Sequence, residues 1–316
     1  MSRPAFDVLA IGELNPDLVL VDLRAQVPRL GTEQEFGAYV LTLGSSTAIA
    51  CVLMQRLGLA TAMSAWVGDD DYGRFCRAAL CAEQVDTAAV RTHPTLSTGL
   101  TVCLPYPDDR LLLTCKGTMA LNPAEGIDAA RLRGARHVHV GSFFLQDALR
   151  PHVAGLFAAA RDLGLTTSLD TGWDPQEHWL SADLRAALAH TGTLFPNATE
   201  FAQLTGTDDV ERGMARLSDL GVGAVVLKQG AGGAVQGDAT GLCAHSGFSA
   251  IPVDTTGAGD AFNAGYLAAM LRGAPVAERL MFGNACGALT VAAIGGTGGV
   301  TSAEQVNAFL AAQAGR

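Results

Sequence analysis

Short apolar runs alternate with amphipathic segments along most of this chain. The runs Val8–Gly12, Ala62–Val67, His137–Gly141, Leu165–Asp170, Leu194–Pro196 and Ala224–Leu227 have the length and composition of buried strands. Between several of them, Ala48–Leu57, Tyr72–Ala82, Pro151–Leu163, Ala182–Ala189 and Val210–Leu220 carry apolar residues at helical spacing. Such β-α-β alternation predicts an α/β fold: a doubly wound, mostly parallel sheet flanked by helices. Pro151 suits a first helical position, and Gly58, Gly164 and Gly221 stand where helices should stop.

Two stretches break the alternation. Asp17 to Leu43 has no helical period. Ser97 to Gly117 reads as a hairpin, with Leu100, Val102 and Leu104 alternating, a turn at Pro105–Asp109, and a return through Leu111–Leu113. Both read as β insertions, at about 17–43 and 97–117, that pair into a small lid over one edge of a site; ordinary surface excursions are the alternative. No linker divides the chain, so residues 1–316 are expected to form a single domain.

Composition narrows the partners. The chain has 316 residues, 49% of them hydrophobic, enough to build a sizeable core, and a formal charge of −10. A chain this acidic is a poor match for nucleic acid, and it lacks the basic cluster of a membrane-surface binder. No run approaches a membrane span, and no leader pattern precedes Val8. The seven cysteines form no C-x-x-C pair and read as reduced thiols of a cytoplasmic protein. His137 and His139 alternate within a strand and read as ordinary strand residues.

The most informative segment is Asp254-Thr255-Thr256-Gly257-Ala258-Gly259-Asp260-Ala261-Phe262-Asn263. It lies between an apolar stretch, Phe248–Val253, and a helical run, Ala261–Arg272. Small residues at a helix N-terminus let successive amides converge on one anion. Asp260 in that first turn is expected to stay ionised and to accept a proton from a hydroxyl attacking a phosphorus held by the same turn. A bare G-x-G-D would more simply cap a helix; the longer string is more specific. There is no G-x-x-x-x-G-K-[ST], no G-x-G-x-x-G opens the first helix, and the only lysines are Lys116 and Lys228.

The sequence resembles the ribokinase-like (PfkB-type) carbohydrate kinases over nearly its full length, best in 254–263. Supporting segments occur in the family's order: Gly12–Asp17, Gly44–Gly58, Val67–Gly73, Thr98-Gly99, Asn197-Ala198-Thr199-Glu200 and Lys228-Gln229-Gly230. The resemblance implies Asp260 as the catalytic base and the amides of Gly257, Ala258 and Gly259 as the hold on the transferring phosphate. It implies ATP and Mg²⁺, with Asn197 and Glu200 organising the metal through water. Bare N-x-x-E is otherwise a helix cap. Lys228 and Gly230 would approach the nucleotide phosphates, with Thr256 on the nucleotide side and Asn284 on the adenine side. Asp254 and Thr256 are candidates to help bind a monovalent cation such as K⁺; a turn-stabilising role is the alternative.

On the acceptor side, the resemblance assigns Asn15, Asp17, Gly44 and Ser45, with Arg110 from the lid hairpin as a further contact. Two departures matter. Ser45 stands where the family has a second glycine, and Ile49 stands where it has an asparagine. The segment Asp170-Thr171-Gly172-Trp173-Asp174-Pro175 lacks the arginine of D-x-N-x-R, which argues against acidic or phosphorylated sugars. The expected activity is transfer of phosphoryl from ATP to a hydroxyl of a neutral sugar or related polyol. A nucleoside kinase of the same family and an idle sugar- or nucleotide-binding member are the alternatives. Exposed lid edges suggest a homodimer.

Overall fold

The computed structural model describes residues 4–21, 29–105 and 110–314; the side chains of Pro105 and Arg110 lie outside the description. In chain order the first elements are β1 (Val8–Ile11), β2 (Pro16–Val21), β3 (Ala38–Leu43), α1 (Ser46–Arg56), β4 (Thr61–Gly68), α2 (Asp71–Ala82) and β5 (Asp86–His93). The hairpin β6 (Leu100–Pro105) and β7 (Arg110–Cys115) leads to α3 (Ala129–Arg133), β8 (His137–Val140), α4 (Arg150–Asp162), β9 (Thr166–Leu169), α5 (Ala182–Leu188) and β10 (Thr193–Leu194). The last third comprises α6 (Ala198–Thr205), α7 (Val210–Asp219), β11 (Ala224–Lys228), β12 (Ala234–Asp238), β13 (Gly241–His245), α8 (Ala258–Leu271), α9 (Val276–Val291) and α10 (Ala303–Ala314).

Nine strands form the central sheet in the order β13-β12-β11-β10-β9-β8-β1-β4-β5. All pairs are parallel except β11–β12 and β12–β13. β1 is flanked by β8 and β4, so the strand order reverses there. In open α/β sheets the carboxyl ends of strands beside such a reversal form the ligand crevice. β1 and β8 are buried at every position, as strands covered on both faces must be.

Local chemistry sets the helix boundaries. Asp70, Ser181, Asn197 and Asp209 each accept an amide of the first turn of α2, α5, α6 and α7. The predicted stops Gly58, Gly164 and Gly221 follow α1, α4 and α7 at φ of 89°, 80° and 95°. Asp70 also accepts the Thr98 amide and hydroxyl, each at 2.7 Å, which ties the start of α2 to the segment entering β6. The Val67–Gly73 motif therefore serves as a joint between the two sheets' connections.

Helix α8 is buried from Ala261 through Ala269 and packs on α1 and α9. A Cβ on Gly265 would lie 2.7 Å from Cys286 Sγ, and one on Gly283 would lie 3.0 Å from Phe262. Those two glycines let α8 and α9 approach closely, which fixes the N-terminus of α8. On the other face of the sheet, Phe143, Phe144, Phe157, Leu184 and Leu188 are buried with α4 and α5. Each such side chain is worth about 1.5–3 kcal/mol of transfer free energy.

The two insertions form a separate four-stranded sheet, β3-β2-β6-β7. β2 and β6 pair in parallel, so the lid joins segments far apart in sequence. The turn at 106–109 lies outside the described residues. Among the described residues no helix is long and apolar enough to cross a membrane.

Candidate active site

The 254–260 turn is held by backbone and carboxylate contacts. Val253 and Asp254 both donate their amides to the Val291 carbonyl. Asp254 Oδ1 accepts the Thr256 amide at 2.9 Å and its Oδ2 accepts the Gly295 amide at 2.9 Å. Gly257 caps α8 at φ 74°, and a Cβ there would lie 2.4 Å from Gly296 Cα. Only glycine satisfies both demands. The Ala258 amide makes a long 3.4 Å contact to the Thr255 carbonyl. Among the described residues, the amides of Gly257 and Gly259 have no acceptor within the chain.

Two cavities meet on this turn. The larger, about 350 Å³, is lined by Lys228, Gly230, Phe248, Pro252, Phe262 and Asn284, together with Thr255, Ala258 and Gly259 of the turn. The smaller, about 160 Å³, is lined by Glu13, Asn15, Asp17, Ser45, Ser46 and Ile49, by Thr101, Leu112 and Thr114 of the lid, and by Thr256, Gly257 and Asp260. The turn is thus a shared wall whose residues divide between the two spaces. Asn15 Oδ1 is buried on the wall of the smaller cavity and has no hydrogen-bond partner among the described residues. Glu13, Asn15 and Asp17 follow β1, and Ser142 follows β8, so the smaller cavity sits where the strand order reverses.

Asp260 lies at the junction. Its Oδ1 accepts the Ser46 hydroxyl at 2.5 Å. The expectation that it stays fully ionised needs correction: its carboxyl is pushed up to about 7. Burial is the largest cause, and the negative charge of Asp170 adds to it, outweighing the Ser46 hydrogen bond and Lys228. Glu200 is also pushed up to about 7, first by burial and then by Asp170.

Among the described residues one cation answers this acidic cluster. Lys228 Nζ donates to Asp170 Oδ2 at 2.7 Å and to Asn263 Oδ1 at 3.3 Å, and Asn263 Nδ2 donates to the same Asp170 oxygen at 2.7 Å. Burial alone would raise Asp170, but Lys228, Asn263 and the Gly172 amide hold its carboxyl below the usual range. A Cβ on Gly259 would lie 3.4 Å from Lys228 Nζ, so the ammonium stands beside the turn's free amides.

The remaining predicted residues divide. Gly44 does not line the smaller cavity; a Cβ on it would lie 2.0 Å from Asp17 Oδ1, so its role is to admit that carboxylate. Thr256 faces the smaller cavity rather than the larger one. Asn197 lines neither. It forms a reciprocal capping box with Glu200: its Oδ1 accepts the Glu200 amide and Glu200 Oε2 accepts the Asn197 amide, each at 2.9 Å. Asn284 Nδ2 donates to His245 and to the Ser246 carbonyl from the wall of the larger cavity. The Arg110 side chain lies outside the described residues.

Several residues escaped sequence reasoning. Glu13, Thr101, Thr114 and Ser142 line the smaller cavity, and Asp170 and Asn263 hold Lys228. Thr101 and Thr114 had a usable signal: they sit at paired positions on the same face of the β6–β7 hairpin and their hydroxyls lie 3.1 Å apart. Asp170 and Asn263 each lie in a segment singled out above, but their pairing around Lys228 had no signal, because 93 residues separate them. His137 and His139 share the buried Ser168 hydroxyl within the sheet, in keeping with their reading as strand residues.

Residues 5–303 match the sequence model of the pfkB family carbohydrate kinases. The chain is 34% identical over 308 residues to the ATP-dependent ribose-1-phosphate kinase of Halopiger xanaduensis, covering 96% of this chain and 97% of that protein. The structure of Arabidopsis thaliana ribokinase complexed with ribose and ATP superposes with a TM-score of 0.83 at 23% identity, over 98% of this chain and 99% of that one. A fructokinase double mutant from Vibrio cholerae, in a form bound to fructose, ADP and potassium ion, gives 0.78 at 23% identity over 98% and 100%. At those identities the structural likeness concerns the fold.

Proposed function

The chain belongs to the pfkB family and is a carbohydrate kinase; from that premise we propose that it transfers the γ-phosphoryl group of ATP to a hydroxyl of a neutral sugar or related polyol. The observation that carries this reading is the shared wall. A nucleotide in the larger cavity and an alcohol in the smaller one would meet across Gly257–Asp260. Asp260 takes the alcohol's proton, the alcohol oxygen bonds to phosphorus, the bond to the β-phosphate oxygen breaks, and ADP leaves. A base titrating near 7 is well matched to proton transfer at neutral pH. The amides of Gly257, Ala258 and Gly259, with Lys228 beside them, stabilise the transferring group.

Mg²⁺ suits the donor set as a metal held largely by water and phosphate oxygens. Among the described residues no three acidic, histidine or cysteine groups converge into a metal cage. Glu200 is an oxygen donor pushed up to about 7 first by burial and then by the negative charge of Asp170, and a divalent cation would favour its ionised form. When bound, Mg²⁺ would neutralise phosphate charge, with Glu200 and Asn197 orienting its waters. Asp254 clamps two loops with its two oxygens and is the candidate for a monovalent-cation role such as K⁺.

Neutral acceptors are favoured because Glu13, Asp17 and Asp260 line the smaller cavity and no described lysine or arginine does. A nucleoside is the second reading, since Ile49, Leu112, Met119 and Leu145 give that cavity an apolar wall. Free thiols, with Cys81 and Cys115 exposed, suit the reducing cytoplasm. A homodimer through the lid is part of the proposal. The test is ADP formation from ATP with ribose, fructose, other polyols, ribose 1-phosphate and nucleosides. Turnover of neutral sugars supports the reading; turnover of nucleosides alone, or none at all, overturns it.

A further inference from the structure

Ser45 and Ser46 open α1 with different tasks. Ser45 stands at φ 70°, a strained setting for a residue other than glycine. Its hydroxyl donates to the Glu13 carbonyl at 2.5 Å and accepts the Ala48 amide at 3.2 Å, which holds that setting and caps the helix. The helix therefore needs no cap from Ser46. Its hydroxyl projects instead into the smaller cavity and donates to Asp260 Oδ1, the start of α1 thus meeting the start of α8 at one carboxylate.

We propose that Ser46 is a positioning residue that binds Asp260 Oδ1 and thereby leaves Oδ2 as the atom that takes the acceptor alcohol's proton. The inference rests on the reading of Asp260 as the base. In the step, the alcohol's proton passes to Oδ2, its oxygen forms the new bond to phosphorus, and the phosphorus–oxygen bond to ADP breaks. Ser46 keeps its own proton throughout and fixes the orientation of the carboxylate.

The groups that face Asp260 explain why such a donor matters. Burial, then Asp170 at the end of β9 and Glu13 after β1, push it toward protonation, and Glu200 on α6 is a further acidic neighbour that the charge of Asp260 itself pushes up. Lys228 on β11 and the Ser46 hydroxyl oppose them. Without Ser46, Asp260 holds its proton to a higher pH, and its carboxyl group is free to rotate.

The experiment measures kcat and kcat/KM from pH 5.5 to 9 for the parent, Ser46→Ala, Ser46→Thr and Asp260→Asn, with ATP binding and melting followed in parallel. Ser46→Ala should lose about tenfold in kcat/KM at pH 6, with the loss shrinking toward pH 9 as the acid limb moves up. ATP affinity should be unchanged and Ser46→Thr should restore the profile. A Ser46→Ala enzyme that melts and binds ATP as the parent does, yet keeps the parent's pH profile, overturns the assignment while leaving the base intact. Activity retained in Asp260→Asn would overturn the base itself and this inference with it. Should Ser46→Ala fail to fold, Ser46→Thr and Ser46→Gly carry the same comparison, a parent-like profile in Ser46→Gly overturning the assignment.

Discussion

Lys228 and Asp170 form a buried ion pair, Nζ to Oδ2 at 2.7 Å, with their side chains only 12% and 6% exposed. The pair stands behind the turn's free amides, and Asn263 braces both partners. Lys228→Met is expected to raise the KM for ATP and to lower kcat about 100-fold, by removing the one cation among the described residues that line the larger cavity. It also strands Asp170, so the variant should be destabilised by about 3–5 kcal/mol. Steady-state kinetics with a denaturant titration separate the two effects; normal kinetics would remove Lys228 from the site.

Gly257 meets two demands at once, a φ of 74° and contact with Gly296. Gly257→Ala is expected to cost at least about 1–3 kcal/mol from backbone strain and to abolish most activity. Gly58 is the control, since it has φ 89° and no described atom within 4 Å of an added Cβ. Gly58→Ala should lose about 1 kcal/mol and keep its kcat. Equal kinetic losses in both variants would show that the 257 position is not special.

The two raised carboxyls make a stability prediction with a definite sign. Asp260 and Glu200 titrate near 7 in the folded chain, against ordinary values of 3.8 and 4.5. As pH rises from about 4 to 7, the unfolded chain sheds these protons first. Stability from the two groups is therefore complete in acid and is lost as pH rises through 7. Asp260→Asn removes its share of that loss. It should melt above the parent at pH 8, with the gap closing toward pH 4. A gap of the same size at both pH values would contradict the burial of this carboxyl.

One face of the lid covers the smaller cavity with Asp17, Thr101, Leu112 and Thr114. By strand register the opposite face carries Tyr39, Leu111 and Leu113, which are 67%, 42% and 55% exposed. An apolar face on an open sheet is a natural subunit contact. Sedimentation should give a dimer for the parent and a monomer for Leu111→Lys combined with Leu113→Lys. A monomeric parent at micromolar concentration would remove the dimer from the proposal.

Much of the architecture was legible because it rests on local rules. Buried parallel strands such as Val8–Ile11 read as apolar runs, and Gly58, Gly164 and Gly221 mark helix ends through a backbone demand that glycine meets. Strand β5, whose burial is uneven, and the β12–β13 pair, rich in small and polar residues, gave no such signal. Within the site, Asp260 and the 257–259 amides were legible because a single contiguous string builds them. The raised carboxyl of Asp260 is not legible in the string, because the burial that chiefly causes it and the negative neighbours Asp170 and Glu13 that add to it are assembled only by the folded sheet. Likewise Asn197 and Glu200 fit both a metal and a cap by spacing, and the fold displays the cap.

The most direct test of the central claim is ADP formation by Asp260→Asn, with ATP binding measured on the same sample. Asparagine preserves the shape of the side chain and its bond to Ser46 while removing the proton acceptor. A fall in kcat of at least about 100-fold with ATP affinity intact is expected. An Asp260→Asn enzyme that turns over its sugar within a fewfold of the parent rate would contradict it.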